Sequence, residues 1–141
     1  MADKVEFELV SPEKLLVSQP VEMVVVPGGE GYFGVLPGHA PMIATLKPGV
    51  IDVYADNANT ISSRIFVAGG FAEVTETRCT VLAEEATELG SIDRAKAEQA
   101  VRDLSEDLAD AKTDAERRAV EAKLAIAQAK VEALGAGAAA H

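Results

Sequence analysis

Apolar and polar residues alternate from the start of the chain, where Glu6 and Glu8 separate Val5, Phe7 and Leu9. A period of two sends the apolar side chains to one face of an extended segment and the carboxylates to the other, as in a half-buried strand. Ser11-Pro12-Glu13 turns the chain, residues 15–17 read as a short strand, and Pro20 introduces a longer one over residues 21–26 that stops at Pro27-Gly28-Gly29. Val50, Ile51 and Val53 resume the pattern before the turn Asp56-Asn57-Ala58-Asn59. Residues 61–68 run into Gly69-Gly70, and residues 71–76 and 78–83 follow with the same alternation. About nine short strands with turn signals every 8 to 12 residues predict an antiparallel β-sandwich or barrel, with no room for crossover helices.

At Ser91 the period changes. Residues 91–134 contain neither proline nor aromatic residues, and alanine becomes the commonest type. Ala97, Val101, Leu104, Leu108 and Ala111 recur at steps of four and three, as do Val120, Leu124, Ala127, Val131 and Leu134. Such spacing gives one narrow stripe per helix. Thr113 and Glu116 have capping-box spacing and start a second helix, which Gly135 is placed to end. Two helices of about 20 residues, each roughly 30 Å long, joined by so short a turn form an antiparallel hairpin. The expected organisation is a β-domain over residues 1–86, a helical hairpin over 91–135 and a disordered tail over 136–141. Half of the stripe is alanine, which contributes far less on burial than the ~1.5–3 kcal/mol of a Leu or Val. The hairpin seam is therefore expected to be weak beside the sheet core.

Residues 28–49 hold six of the eleven glycines and three of the six prolines, so turn geometry is tightly specified there. Composition narrows the function. A net charge of −10 with no basic run beyond Arg117-Arg118 argues against nucleic acid as a partner. The lone cysteine, Cys79, cannot form an intramolecular disulfide. No apolar run reaches the roughly 20 residues that span a bilayer, and the N-terminus has no basic start leading into an apolar block. The expectation is a soluble protein that meets a membrane only through something else.

Motifs that could carry chemistry are few and incomplete. Residues 29–34, Gly-Glu-Gly-Tyr-Phe-Gly, match G-x-G-x-x-G after an apolar strand, and Asp52 stands near the distance of a ribose-binding acid. That motif works by aiming a helix N-terminus at pyrophosphate, and Val35-Leu36-Pro37-Gly38 cannot start the helix. His39 has no nucleophile elbow or partner base near it, and Cys79 sits mid-strand. Two histidines and one cysteine give no metal-ligand spacing, and Glu84, Glu85 and Glu88 read as a solvated strand end. Neither an enzyme nor a cofactor is expected.

Four elements occur in order: Gly34-Val35-Leu36-Pro37-Gly38-His39-Ala40-Pro41, Leu46-Lys47-Pro48-Gly49, Val67-Ala68-Gly69-Gly70-Phe71-Ala72-Glu73-Val74 and Thr80-Val81-Leu82-Ala83-Glu84. Together they closely resemble the epsilon subunit of F-type ATP synthases. The resemblance implies a sandwich of about ten strands followed by a helical hairpin. It also implies a non-catalytic rotor subunit, seated on the gamma subunit against the ring of membrane proteolipid subunits, which couples proton flow to ATP synthesis at the cytoplasmic face of a bacterial inner membrane. By the same resemblance, Glu30, Gly31, Tyr32, Phe33, His39 and Met42 are contact residues toward gamma or the proteolipid ring. Alternation sends Tyr32 and Phe33 to opposite faces, so only one of the pair is expected to be available.

The hairpin of some relatives binds ATP through an Ile/Leu-Asp-x-x-Arg-Ala motif and reaches the catalytic beta subunit. Here Ile92, Asp93 and Ala97 match, Lys96 replaces the arginine, and Glu88 falls near another family position. A lysine gives a point charge in place of a planar fork and holds phosphate differently. The second helix offers Lys123 and Lys130. The plainer reading makes Asp93 a helix-start residue favoured by the dipole, with Ser91 as cap, so ATP binding is expected to be weak or absent. A different function class, an adaptor with a sandwich platform and a coiled-coil hairpin, stands as the alternative.

Overall fold

The computed structural model describes residues 4–139, with side chains as far as residue 135. The protein divides after Gly90 into two compact units. In the first, the alternating segments form β1 (Val5–Val10), β2 (Leu15–Val21), β3 (Met23–Gly28), β4 (Gly31–Val35), β5 (Met42–Thr45), β6 (Gly49–Tyr54), β7 (Ser63–Val74) and β8 (Arg78–Glu88). They join in one hydrogen-bonded sheet ordered β2-β1-β8-β7-β6-β3-β4, with β5 pairing β7 beside that path. The inward residues of β1, β3, β6, β7 and β8 meet in a single cluster that includes Phe7, Leu9, Val24, Ile51, Val67 and Val81. A sheet whose inner side chains all meet has folded over on itself, and the result is a β-sandwich.

The corner lies in the middle of β7. One edge of β7 pairs β8 from Ile65↔Glu88 to Val74↔Cys79. The other edge is shared: its first half carries β6 (Gly49↔Val67 to Val53↔Ser63) and its second half carries β5 (Met42↔Val74 to Thr45↔Phe71). Between the halves, Gly69 and Gly70 take φ of 73° and 102°. A Cβ at Gly70 would run into the Leu82 carbonyl, so only glycine lets the two strands approach at the bend. The Gly-Gly pair, read from sequence as a turn between two strands, is thus a bend inside one twelve-residue strand. Opposite it, the Leu46 amide bonds the Gly70 carbonyl at 3.0 Å, which ties the break between β5 and β6 to the corner.

Two more details differ from the pattern-based expectation. The β1–β8 pair is parallel, Glu6↔Arg78 to Val10↔Leu82, whereas every other ladder among the described residues is antiparallel. These two strands are not consecutive, so no hairpin turn dictates their direction. Residues 28–49, read as turns, contain the two short strands β4 and β5, because Gly29-Glu30 makes a two-residue turn that returns the backbone along β3.

A 3-10 turn, Leu89–Ser91, follows the first unit's last strand, and the second unit is the hairpin of α1 (Arg94–Asp110) and α2 (Asp114–Ala139). Of the predicted stripes, Ala97 and Ala127 are buried and the remaining members are half-buried, with mostly exposed residues between them. The Thr113 hydroxyl accepts the Glu116 amide at 3.1 Å, and Glu116 reaches back to the Lys112 amide at 2.9 Å, one residue before the usual capping-box partner. Helix α2 runs through Gly135 to Ala139, so the glycine does not end it, and its φ is not positive. Residues 136–139 of the expected tail are helical, and the last two residues lie outside those described.

Candidate functional site

The predicted contact residues gather around the β3–β4 turn. Glu30 lies in the turn itself, and Gly31 opens β4. Tyr32 and Phe33 follow on opposite faces as the alternation requires: Phe33 packs against the core, while Tyr32 remains 54% exposed. They are strand residues and not loop residues. An open groove of about 400 Å³ separates β4 from β5, lined by the 28–31 turn, Phe33 and the four residues of β5. Met42 and Ile43 stand on its far wall, and Ile43 is 70% exposed.

Both strands that flank the groove are sheet edges, and the groove is closed at one end. There the Gly29 amide bonds the Thr45 carbonyl at 2.8 Å, the Lys47 amide bonds the Pro27 carbonyl at 3.0 Å, and Gly28 bridges Leu46. His39 lies elsewhere, in the loop that leaves β4. Its Nδ1 is 2.8 Å from the Ala40 carbonyl oxygen. The preceding Gly38 amide bonds the Glu76 carbonyl at 2.8 Å, fixing this loop to the β7–β8 turn. The structure therefore brings Glu30, Gly31, Phe33 and Met42 together and sets His39 apart from them.

The expected nucleotide residues are shared between the two units. Glu88 ends β8 in the first unit, whereas Ile92, Asp93 and Lys96 open the second. Asp93 is itself the N-cap of α1, in place of Ser91, and its carboxylate accepts the Lys96 amide at 3.2 Å. Ser91 instead completes the 3-10 turn. The G-x-G-x-x-G residues form the β3–β4 hairpin with no helix after it, and Asp52 pairs Arg64 across β6 and β7 at 3.3 Å.

A second surface had not been read from the sequence. The outward partners Phe71↔Leu82, Leu82↔Val10 and Val10↔Leu15 form one apolar row across β7, β8, β1 and β2. Ile43 extends it from the neighbouring strand β5, and Phe71, Leu82 and Leu15 are all exposed. The signal was present: Leu82 sits between the inward Val81 and Ala83, and Phe71 precedes the inward Ala72, so both are apolar where alternation asks for polar residues.

Residues 4–89 match the family described as ATP synthase, Delta/Epsilon chain, beta-sandwich domain, and residues 93–141 match the C-terminal domain of the ATP synthase epsilon chain. The protein belongs to the ATP synthase epsilon-chain family. It is 67% identical over 135 residues to the epsilon chain of Rhodospirillum centenum, covering 94% of this sequence and 92% of that one. To the epsilon chain of Rhodospirillum rubrum it is 54% identical over 134 residues, covering 95% and 96%. Among solved structures it resembles a subunit of the Euglena gracilis mitochondrial ATP synthase, with a TM-score of 0.79 and 25% identity over 99% of this protein and 82% of that subunit. A subunit of the central stalk and c-ring structure from Tetrahymena thermophila shares the fold at a TM-score of 0.63 and 14% identity, covering 93% and 96%. No helix among the described residues of this epsilon-family protein is long and apolar enough to cross a membrane.

Proposed function

We propose that the protein is a non-catalytic rotor subunit in the central stalk of a proton-translocating ATP synthase, held at the cytoplasmic face of a bacterial inner membrane by its partners. The apolar row through Phe71, Leu82, Val10 and Leu15 carries this reading. Contiguous outward apolar side chains that cross four strands, exposed at Phe71, Leu82 and Leu15, call for a protein surface to cover them. A stalk supplies such a surface in the gamma subunit. The turn around Glu30 and the groove beside it, which meets the row at Ile43, offer a second contact for the proteolipid ring. A subunit gripped at two places on one stiff sandwich transmits rotation without doing chemistry. Membership in the epsilon family and the likeness to a subunit of the Euglena assembly support the same role.

Copurification from detergent-solubilised membranes tests the proposal. The protein is expected to travel with gamma and the catalytic subunits, and Phe71→Glu to reduce the fraction retained by about tenfold or more, as for a charge buried without a partner. Recovery of the wild-type protein only outside any large complex would overturn it.

The hairpin's regulatory part in this reading is a weakened one. One oxygen of the Asp93 carboxylate caps the helix, and Lys96 cannot form the bidentate grip of an arginine. Calorimetric titration with ATP is expected to show no sub-millimolar binding, and a tighter site would refute the weakening.

A further inference from the structure

Strands β3 and β6 pair as Met23↔Tyr54, Val24↔Val53 and Val25↔Asp52. Carried two residues further, that register sets Pro27 opposite Val50. Proline has no N–H to donate, and the Pro27 carbonyl is already taken by the Lys47 amide at 3.0 Å. The Val50 amide is therefore left without a partner on β3. Tyr32 stands directly across from Pro27 on β4, and its hydroxyl oxygen accepts the Val50 N–H at 3.1 Å. One tyrosine thus spans from β4 past β3 to β6 and fills the place in the ladder that the proline vacates.

Two neighbours keep that span open. A Cβ at Gly49 would fall 2.6 Å from the Tyr32 hydroxyl and 2.8 Å from Pro27 Cβ, so glycine is needed for the close approach. The Lys47 ammonium sits 5.6 Å from the centre of the Tyr32 ring, within cation–π range, and helps to hold the ring in place. We infer that Tyr32 is a positioning residue: by tying β4 to β6 across Pro27 it fixes the Gly29-Glu30 turn and the adjoining groove in the orientation the coupling contact requires. On this assignment the side chain acts mainly within its own subunit, and Glu30, Met42 and Ile43 are left to meet the partner. The inference rests on the rotor reading above.

Tyr32→Phe removes a single oxygen and keeps the ring, its packing and the cation–π contact. Two measurements are made on this variant. Hydrogen exchange at the Val50 amide is expected to accelerate about threefold to tenfold, the range of one neutral hydrogen bond. In the reconstituted complex, with the variant incorporated at wild-type stoichiometry, proton pumping per ATP hydrolysed is expected to fall by about threefold, the low end of that range. Unchanged exchange at Val50 would overturn the tie. Accelerated exchange with an unchanged pumping ratio would overturn the positioning role and leave the bond merely structural. Failure of the wild-type protein to enter the complex would sink the rotor reading alone, since the exchange measurement needs only the isolated protein.

Discussion

Cys79 shows how far a single side chain's surroundings set its chemistry. It faces inward on β8 between Phe7 and Val74, its partners on the two neighbouring strands, and is wholly buried. Burial pushes its thiol up from 9.0 to about 12, because the thiolate cannot be solvated there. The unfolded state loses this proton near pH 9 and the folded state holds it to about pH 12, so the unfolded state binds fewer protons in that window. Stability therefore falls as pH rises from 9 toward 12, by on the order of 4 kcal/mol in all at ~1.4 kcal/mol per pH unit. Urea melts near pH 8 and pH 10.5 should show about half of this loss for the wild type, with less of it in Cys79→Ala. Parallel losses in the two proteins would refute the assignment. The thiol's strand placement was readable from the alternation around Val81, although it stands second in β8 and not mid-strand. The capping role of Asp93 was not, because Ser91 has an equal claim by residue type and only the preceding 3-10 turn decides between them.

At the scale of elements, the hairpin is the less stable part. Its seam rests on Ala97, Ala127 and half-buried Val and Leu residues, whereas the sandwich core buries Phe7, Leu9, Ile51 and several valines almost completely. At ~1.5–3 kcal/mol for each fully buried large aliphatic or aromatic side chain, the sandwich holds the larger reserve. Hydrogen exchange should find the amides of α1 and α2 opening well below the free energy needed to expose β1, β7 and β8. Equal protection of helices and central strands would show the seam to be as strong as the core. Both helices and their stripes were legible because a 3.6-residue period leaves a long, redundant record. The end of α2 was not: Gly135 favours a stop, yet the residues after it are mostly alanine, which continues a helix at little cost.

For the whole molecule, the β-then-α division was visible in the switch of period at Ser91, and the ordered Gly-Pro elements carried the family resemblance. What alternation could not give was pairing. It reports which face a side chain takes and nothing of which strand lies beside which, so the parallel β1–β8 ladder, the corner at Gly70 and the Tyr32–Val50 tie all escaped it. Each of these depends on residues far apart in sequence or on a gap left by proline. The outward row at Phe71 and Leu82 was hidden differently, since a break in the alternation looks like noise until neighbouring strands line such breaks up.

The parallel ladder also sets a timetable for synthesis. Because Val10 pairs Leu82, β1 has no inner neighbour until more than half of the protein has been made. At about 5–20 residues per second, the first hairpin waits on the order of 4–15 s with one apolar strand edge open. The Val-Glu-Phe-Glu-Leu start places a carboxylate between each pair of inward residues, which keeps that waiting edge charged on one face and guards it against other nascent proteins.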